Sequence, residues 1–234
     1  MATAADRPSR RADALSRERV VTAAVEILDA EGESGLTFRT LAKRLSTGAG
    51  AIYWHVQGKD ELLAAAANTV IAVAIGGVRT RGKPAARLRA VALALFDAFE
   101  AHPWAGAQLA RDPSRLAGAR ILEAVGGTLD ALAVAPESQF AVASALADYI
   151  AGAAGLSAAH AAGPPGLDRT AFLEAAAQRW ERLDPAEFPF VHRILRQVPD
   201  HDDREQFASG IDLILAGIEK RNSPRISPAR PARA

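Results

Sequence analysis

Residues 36–59 read LTFRTLAKRLSTGAGAIYWHVQGK, and the order of these residues decides the fold. Thr37 offers a side-chain oxygen where a helix can start. Phe38, Leu41, Ala42 and Leu45 then recur at i, i+3, i+4 and i+7, one apolar stripe on a short helix. Ser46-Thr47-Gly48 makes the turn, and a very short second helix follows from about Gly50 to His55. Ile52 belongs inside, against Leu41 and Leu45. The three large groups after it, Tyr53-Trp54-His55, cannot all follow it inward on so short a helix. Two short helices joined by a glycine-containing turn form the helix-turn-helix pattern, whose second helix enters the DNA major groove. Gly50 and Ala51 are small enough for close approach to base edges, Tyr53 and His55 can bond phosphate, and Trp54 can lie against sugar.

The charge pattern agrees. Residues 36–59 carry Arg39, Lys43, Arg44 and Lys59 and no acid, whereas Glu26, Asp29, Glu31 and Glu33 crowd the segment just before. Over residues 1–62 the nine basic and nine acidic side chains cancel, so only the local pattern shows the basic face. Duplex DNA carries one negative charge per about 1.7 Å of axis, and an acid-free basic face suits it.

Outward from this segment the apolar spacing is helical. Ser16 can cap a helix burying Val20, Val21, Ala24, Val25, Ile27 and Leu28 and ending at Gly32. Gly58 precedes Lys59-Asp60-Glu61, which opens a fourth helix running through Leu62, Leu63, Val70 and Val73 to Gly76-Gly77. Pro84 starts the next, with Leu88, Val91, Ala92, Leu95 and Phe99 inward, and Pro103 stops it. Further helices are predicted at roughly 104–110, 114–134, 137–161, 168–183, 188–197 and 202–221. Residues 1–15 read as a disordered arm and 222–234, with three prolines and three arginines, as a disordered tail.

Composition sets the class. Of 234 residues 54 are alanine and only 13 are Phe, Trp or Tyr, which predicts an all-α protein. The net charge of +1 excludes a polybasic coat, and the absence of cysteine excludes disulfides, a thiol nucleophile and thiolate metal sites. The five histidines are dispersed without zinc-site spacing, and no G-x-S-x-G elbow occurs. No catalytic residue, metal or cofactor is expected. Apolar runs fall short of the roughly 18 residues of a membrane span, and no leader pattern opens the chain, so a cytoplasmic protein without a membrane partner is expected.

The segment Val20–Ala67, with Leu36-Thr37-Phe38-Arg39-Thr40-Leu41-Ala42 and Ile52-Tyr53-Trp54-His55-Val56, resembles the DNA-binding domain of TetR-family transcriptional regulators. The run Tyr53-Trp54-His55-Val56 is closest to the tetracycline repressor branch. Phe207, Gly210, Ile211, Leu213, Ile214, Gly217, Ile218, Glu219 and Lys220 resemble the last helix of that branch. The resemblance implies a helix-turn-helix domain over 16–74 (motif about 37–56) and a helical effector-binding and dimerisation domain over 80–221. It implies that Arg39 reads guanine, that Thr37, Tyr53, His55 and Lys59 hold phosphate, that Trp54 packs on the backbone, and that Gly50 and Ala51 face the bases. Ala49, Gly50 and Ala51 are smaller than their counterparts in the branch, so its operator does not transfer.

By the same resemblance the partners are a pseudo-palindromic double-stranded operator, a small-molecule effector and a second copy of the chain. Leu146, Ile150, Ile211, Ile214, Leu215 and Ile218 are the expected dimer residues. Phe99, His102, Trp104, Gln108, Tyr149, Phe172 and Trp180 are the expected ligand contacts. Ile75 stands where the branch has a drug-binding histidine, so binding of magnesium–tetracycline is not expected. The function implied is a ligand-released repressor; the alternative is an all-α enzyme or small-molecule carrier that does not bind DNA.

Overall fold

The computed structural model describes residues 15–79, 81–161, 169–200 and 202–222. Apart from Leu15 and Asn222, the arm and tail expected from the sequence lie outside these residues. Eleven α-helices and no strand occur among the described residues: α1 (Arg17–Gly35), α2 (Phe38–Arg44), α3 (Ala49–Tyr53), α4 (Lys59–Gly76), α5 (Pro84–Ala101), α6 (Pro103–Arg111), α7 (Leu116–Gly126), α8 (Pro136–Ala161), α9 (Arg169–Glu181), α10 (Pro189–Ile194) and α11 (Asp203–Asn222). A 3₁₀ turn, Leu195–Gln197, follows α10.

The helix ends follow local chemistry, with two departures from expectation. Ser16 Oγ accepts from the Arg19 N–H and starts α1. Gly32 takes φ +68°, a left-handed conformation that kinks α1 without ending it, and the helix resumes to Gly35. The second departure is α7. One helix was expected over 114–134, but Gly126-Gly127 ends it early, and tight turns lead to Ala133 at φ +57°. Two glycines in succession lack the propensity to carry the helix on.

Two apolar cores share one strut. The first packs Val20, Ala24, Ile27 and Leu28 of α1 against Leu41, Ile52, Val56, Leu62 and Leu63. The second joins Val70 and Ile71 of α4 to Leu88, Leu95 and Phe99 of α5, Ile121 of α7, Leu146 and Ile150 of α8, and Ile211 of α11. Each fully buried Leu or Ile contributes about 1.5–3 kcal/mol over an exposed one. Because α4 buries its first half in one core and its second in the other, a tilt of α4 is felt in both.

Close backbone approach locks α6 to α8: a β-carbon on Gly106 would lie 2.5 Å from the Ala154 carbonyl oxygen. By length and composition alone α8 could cross a bilayer. Here its stripe of Ala143, Leu146, Ile150 and Ala154 is buried in the second core.

That stripe corrects the expected dimer residues. Leu146, Ile150, Ile211, Leu215 and Ile218 are buried within the protomer, and Ile214 is half-buried. Leu146 and Ile150 of α8 and Ile211, Leu215 and Ile218 of α11 fall on the inward sides of the two helices, where the single chain covers them. Outward, α8 carries small residues with exposed Phe140 and Leu156, and α11 carries mostly charged and polar residues with exposed Leu213.

Candidate nucleic-acid interface and effector cavity

Side chains fix the start of α2 and backbone bonds make the turn that follows it. Thr37 Oγ1 accepts from the Thr40 N–H at 3.1 Å, Thr40 Oγ1 accepts from the Thr37 N–H at 3.0 Å, and the Thr40 hydroxyl reaches the Gly35 carbonyl at 2.8 Å. Ser46 takes φ +52°, and the Thr47 N–H returns to the Ala42 carbonyl at 3.0 Å, which reverses the chain within three residues.

Helix α3 is fastened by one side chain and presents the rest. Ile52 is 0% exposed, whereas Tyr53 is 54% and Trp54 89% exposed. The Tyr53 ring stacks on Phe38 at 4.3 Å and 9°, which fixes its orientation at the surface. Gly50 is exposed, and Ala51 and His55 are half-buried. Thr37, Arg39 and Lys43 are exposed on α2 and its cap. The other two cations of the basic segment are engaged. Arg44 pairs with Glu26 at 2.8 Å, and Lys59 Nζ donates to the Glu33 carbonyl at 2.7 Å. Lys59 thus closes the kinked end of α1 instead of standing free for phosphate, as the family resemblance had implied.

Glu61 pins the start of α4 to α1. Its carboxylate accepts from the Gln57 N–H at 2.7 Å and from Arg17 at 3.0 Å, and these bonds hold its pKa below the usual carboxylate range, the Gln57 amide contributing most.

The acids upstream of the basic segment turn out to be joints. Asp29 Oδ1 accepts from Trp104 Nε1 at 2.7 Å and lies 2.7 Å from His102 Nδ1. Glu33 Oε2 accepts from Gln108 at 3.2 Å and Arg111 at 3.4 Å. His102, Trp104 and Gln108, expected to touch a ligand, therefore tie α6 to α1. Phe99 is sealed in the second core. Phe172 meets the His160 ring edge-on at 5.1 Å, and Trp180 is exposed near the end of α9.

Of the seven expected ligand contacts, Tyr149 alone lines the cavity of about 340 Å³ between α5, α8 and α11. Its other walls include Phe96, Glu100, Asp148, Gly152, Ser157, His160, Asp203 and Phe207. Phe207 stacks on Phe96 at 4.9 Å and on Tyr149 at 5.1 Å, and the Tyr149 hydroxyl donates to the Phe207 carbonyl at 3.3 Å. Burial raises the Tyr149 pKa. The resemblance places Phe207 on the last helix, the apolar face expected for α5 omits Phe96, and no local signal joins residues 111 apart. Among the described residues no cluster of three or more His, Asp or Glu could hold a metal ion.

A short helix with outward rings, mounted on a strut shared with a cavity-bearing helical body, defines a two-module helix-turn-helix regulator. Residues 20–66 match the family of bacterial regulatory proteins, tetR family, and residues 79–222 match the tetracyclin repressor-like C-terminal domain. The chain belongs to the TetR family of bacterial transcriptional regulators. It is similar to SCO7222, a TetR of Streptomyces coelicolor, with 49% identity over 88% of this chain and 99% of that one and a TM-score of 0.78. ActR of the same organism, solved in complex with actinorhodin, shares the fold at 24% identity, with a TM-score of 0.71 over 90% of this chain and 99% of that one. An HTH-type transcriptional regulator of Saccharopolyspora erythraea is 32% identical over 63% of each chain, so this chain spans less than two thirds of that relative's length. The class D tetracycline repressor protein of Escherichia coli is 45% identical over 25% of this chain and 27% of its own.

Proposed function

We propose that the chain is a ligand-responsive repressor that binds a pseudo-palindromic operator as a homodimer and leaves it when an effector binds. The observation that carries the DNA reading is the 89% exposure of Trp54, beside Tyr53, on a helix whose next residue inward, Ile52, is fully buried. Large exposed rings on a basic face are complementary to a duplex groove and its phosphates. Arg39 would read a base and Gly50 and Ala51 would admit the groove floor, while Thr37, Tyr53 and His55 bind phosphate. Lys59 carries three protons, so it can donate to phosphate while keeping the Glu33 carbonyl.

The domains are residues 16–74 for DNA and 80–221 for effector and dimer. The outward faces of α8 and α11, with Phe140, Leu156 and Leu213, form the dimer contact. The cavity against Tyr149 receives the effector, which acts to the extent that its affinity differs between the two states of the protein. The path from cavity to DNA is α5 to α6, then the Asp29 and Glu33 bonds to α1. Selection of bound duplexes from a fragmented bacterial genome, followed by titration at several salt concentrations, tests the proposal. Half-sites with twofold symmetry and affinity falling steeply with salt are expected. Absence of any salt-dependent duplex binding would refute it.

A further inference from the structure

We infer that the cavity between α5, α8 and α11 takes an organic cation with a flat apolar body. The inference rests on the effector reading above and adds the charge and shape of the ligand. Three features of the cavity carry it.

The first is a preformed flat wall. Phe207 stacks on both Phe96 and Tyr149, the latter at 12° between ring planes. Tyr149 is held by its hydroxyl on the Phe207 carbonyl and lies so close over Gly210 that a β-carbon there would be 2.0 Å from the hydroxyl oxygen. The ring therefore costs little further ordering when a planar ligand stacks on it.

The second is the sign of the charge. Glu100 of α5 and Asp148 of α8 line the cavity and make no ion pair among the described residues; among those residues the one basic side chain lining it is His160, with no lysine or arginine. Asp203 also lines it and is paired with Arg169. The Ser157 hydroxyl donates to Glu100 and orients that carboxylate. An aromatic face beside two uncompensated carboxylates attracts a cation through both ring quadrupole and charge, and repels an anion.

The third is the spread of the carboxylates. Among the described residues they form no group of three with Asp203 or His160 that could hold a metal ion. A delocalised organic charge can face Glu100 and Asp148 at once, and a cavity of about 340 Å³ falls within the range of small-molecule pockets, about 300–1,000 Å³.

Titrating the full-length protein with ethidium, a planar aromatic cation, and with 1-anilinonaphthalene-8-sulfonate, an aromatic anion of similar size, tests the inference by fluorescence. Ethidium should bind at least about tenfold more tightly than the sulfonate, a difference of about 1.4 kcal/mol. In Glu100→Gln/Asp148→Asn ethidium affinity should fall about tenfold or more and the preference for the cation should vanish. Tighter binding of the sulfonate, or ethidium affinity unchanged in that variant and in Asp148→Lys, would overturn it. Duplex affinity is titrated separately without dye. Its loss in the unaltered protein would remove the repressor reading, whereas the dye preference decides the ligand class on its own.

Discussion

Trp104 Nε1 donates to Asp29 Oδ1 at 2.7 Å across 75 residues of sequence, and the His102 ring meets the same oxygen. One carboxylate of the DNA-facing module thus holds the first turn of α6, the helix locked against α8 through Gly106. Asp29 is one of the polar links between the C-terminal body and the N-terminal module, beside Glu33 and the Arg115 bond to the Asp60 carbonyl.

Asp29→Ala should leave the Trp104 N–H without its partner and cost about 1–2 kcal/mol, toward the low end because both groups are partly solvated. Duplex affinity without effector should change little, whereas the drop in affinity that effector causes should shrink. Thermal unfolding and duplex titration with and without effector measure the two effects. An unaltered effector response in Asp29→Ala would remove this link from the coupling path.

Trp54 and Ile52 should behave oppositely. Trp54→Ala is expected to change stability by no more than about 0.5 kcal/mol, and Ile52→Ala to cost about 2–5 kcal/mol by opening a cavity in the first core. Duplex affinity should fall at least about tenfold in Trp54→Ala, about 1.4 kcal/mol. Denaturant unfolding beside duplex titration separates the two, and wild-type duplex affinity in the Trp54 variant would contradict the proposed interface.

Arg39 and Lys43 are both exposed on α2 but should differ in what they read. Arg39→Ala should cost about 1–3 kcal/mol and relax base preference at one operator position, and Lys43→Ala should weaken all duplexes alike and flatten the salt slope by about one. Binding to a panel of single-base operator variants distinguishes them; an unchanged preference in Arg39→Ala would place base reading elsewhere.

The depressed pKa of Glu61 makes part of the stability pH-dependent. A carboxyl whose folded pKa lies below its unfolded value of about 4.3 stabilises fully above that value and loses its contribution as pH falls through the folded one. Urea midpoints measured from neutral pH down to about pH 3 should therefore decline less steeply in Glu61→Gln than in the unaltered protein. Parallel curves would show that the Gln57 and Arg17 bonds carry no net stability.

Glycines on packed and open faces should part company. Gly106→Ala forces a β-carbon to within 2.5 Å of a backbone oxygen and should cost about 1–3 kcal/mol. Gly155→Ala, in open space on α8, should gain up to about 1 kcal/mol from helix propensity. Chemical denaturation of both variants checks the contrast.

The helix-turn-helix was readable because its signals are local. A capping threonine, a stripe at 3.6-residue spacing and a glycine turn lie within about twenty residues, and one buried isoleucine before three large side chains forces some of them outward. The aliphatics of α8 and α11 were legible as buried but not as to what covers them, since a stripe looks the same whether its own chain or a second copy closes it.

Matters settled by distant contact were out of reach of any pattern. That Asp29 and Glu33 bond α6, that His102, Trp104 and Gln108 serve a joint, and that Phe96, Tyr149 and Phe207 share one wall depend on how the helices cross in space. Periodicity specifies which face of a helix avoids water, because residues three and four apart in sequence lie on one side of it. Which face meets which is fixed by volume and backbone approach between separate helices, such as Gly106 against Ala154, and those quantities exist only in three dimensions.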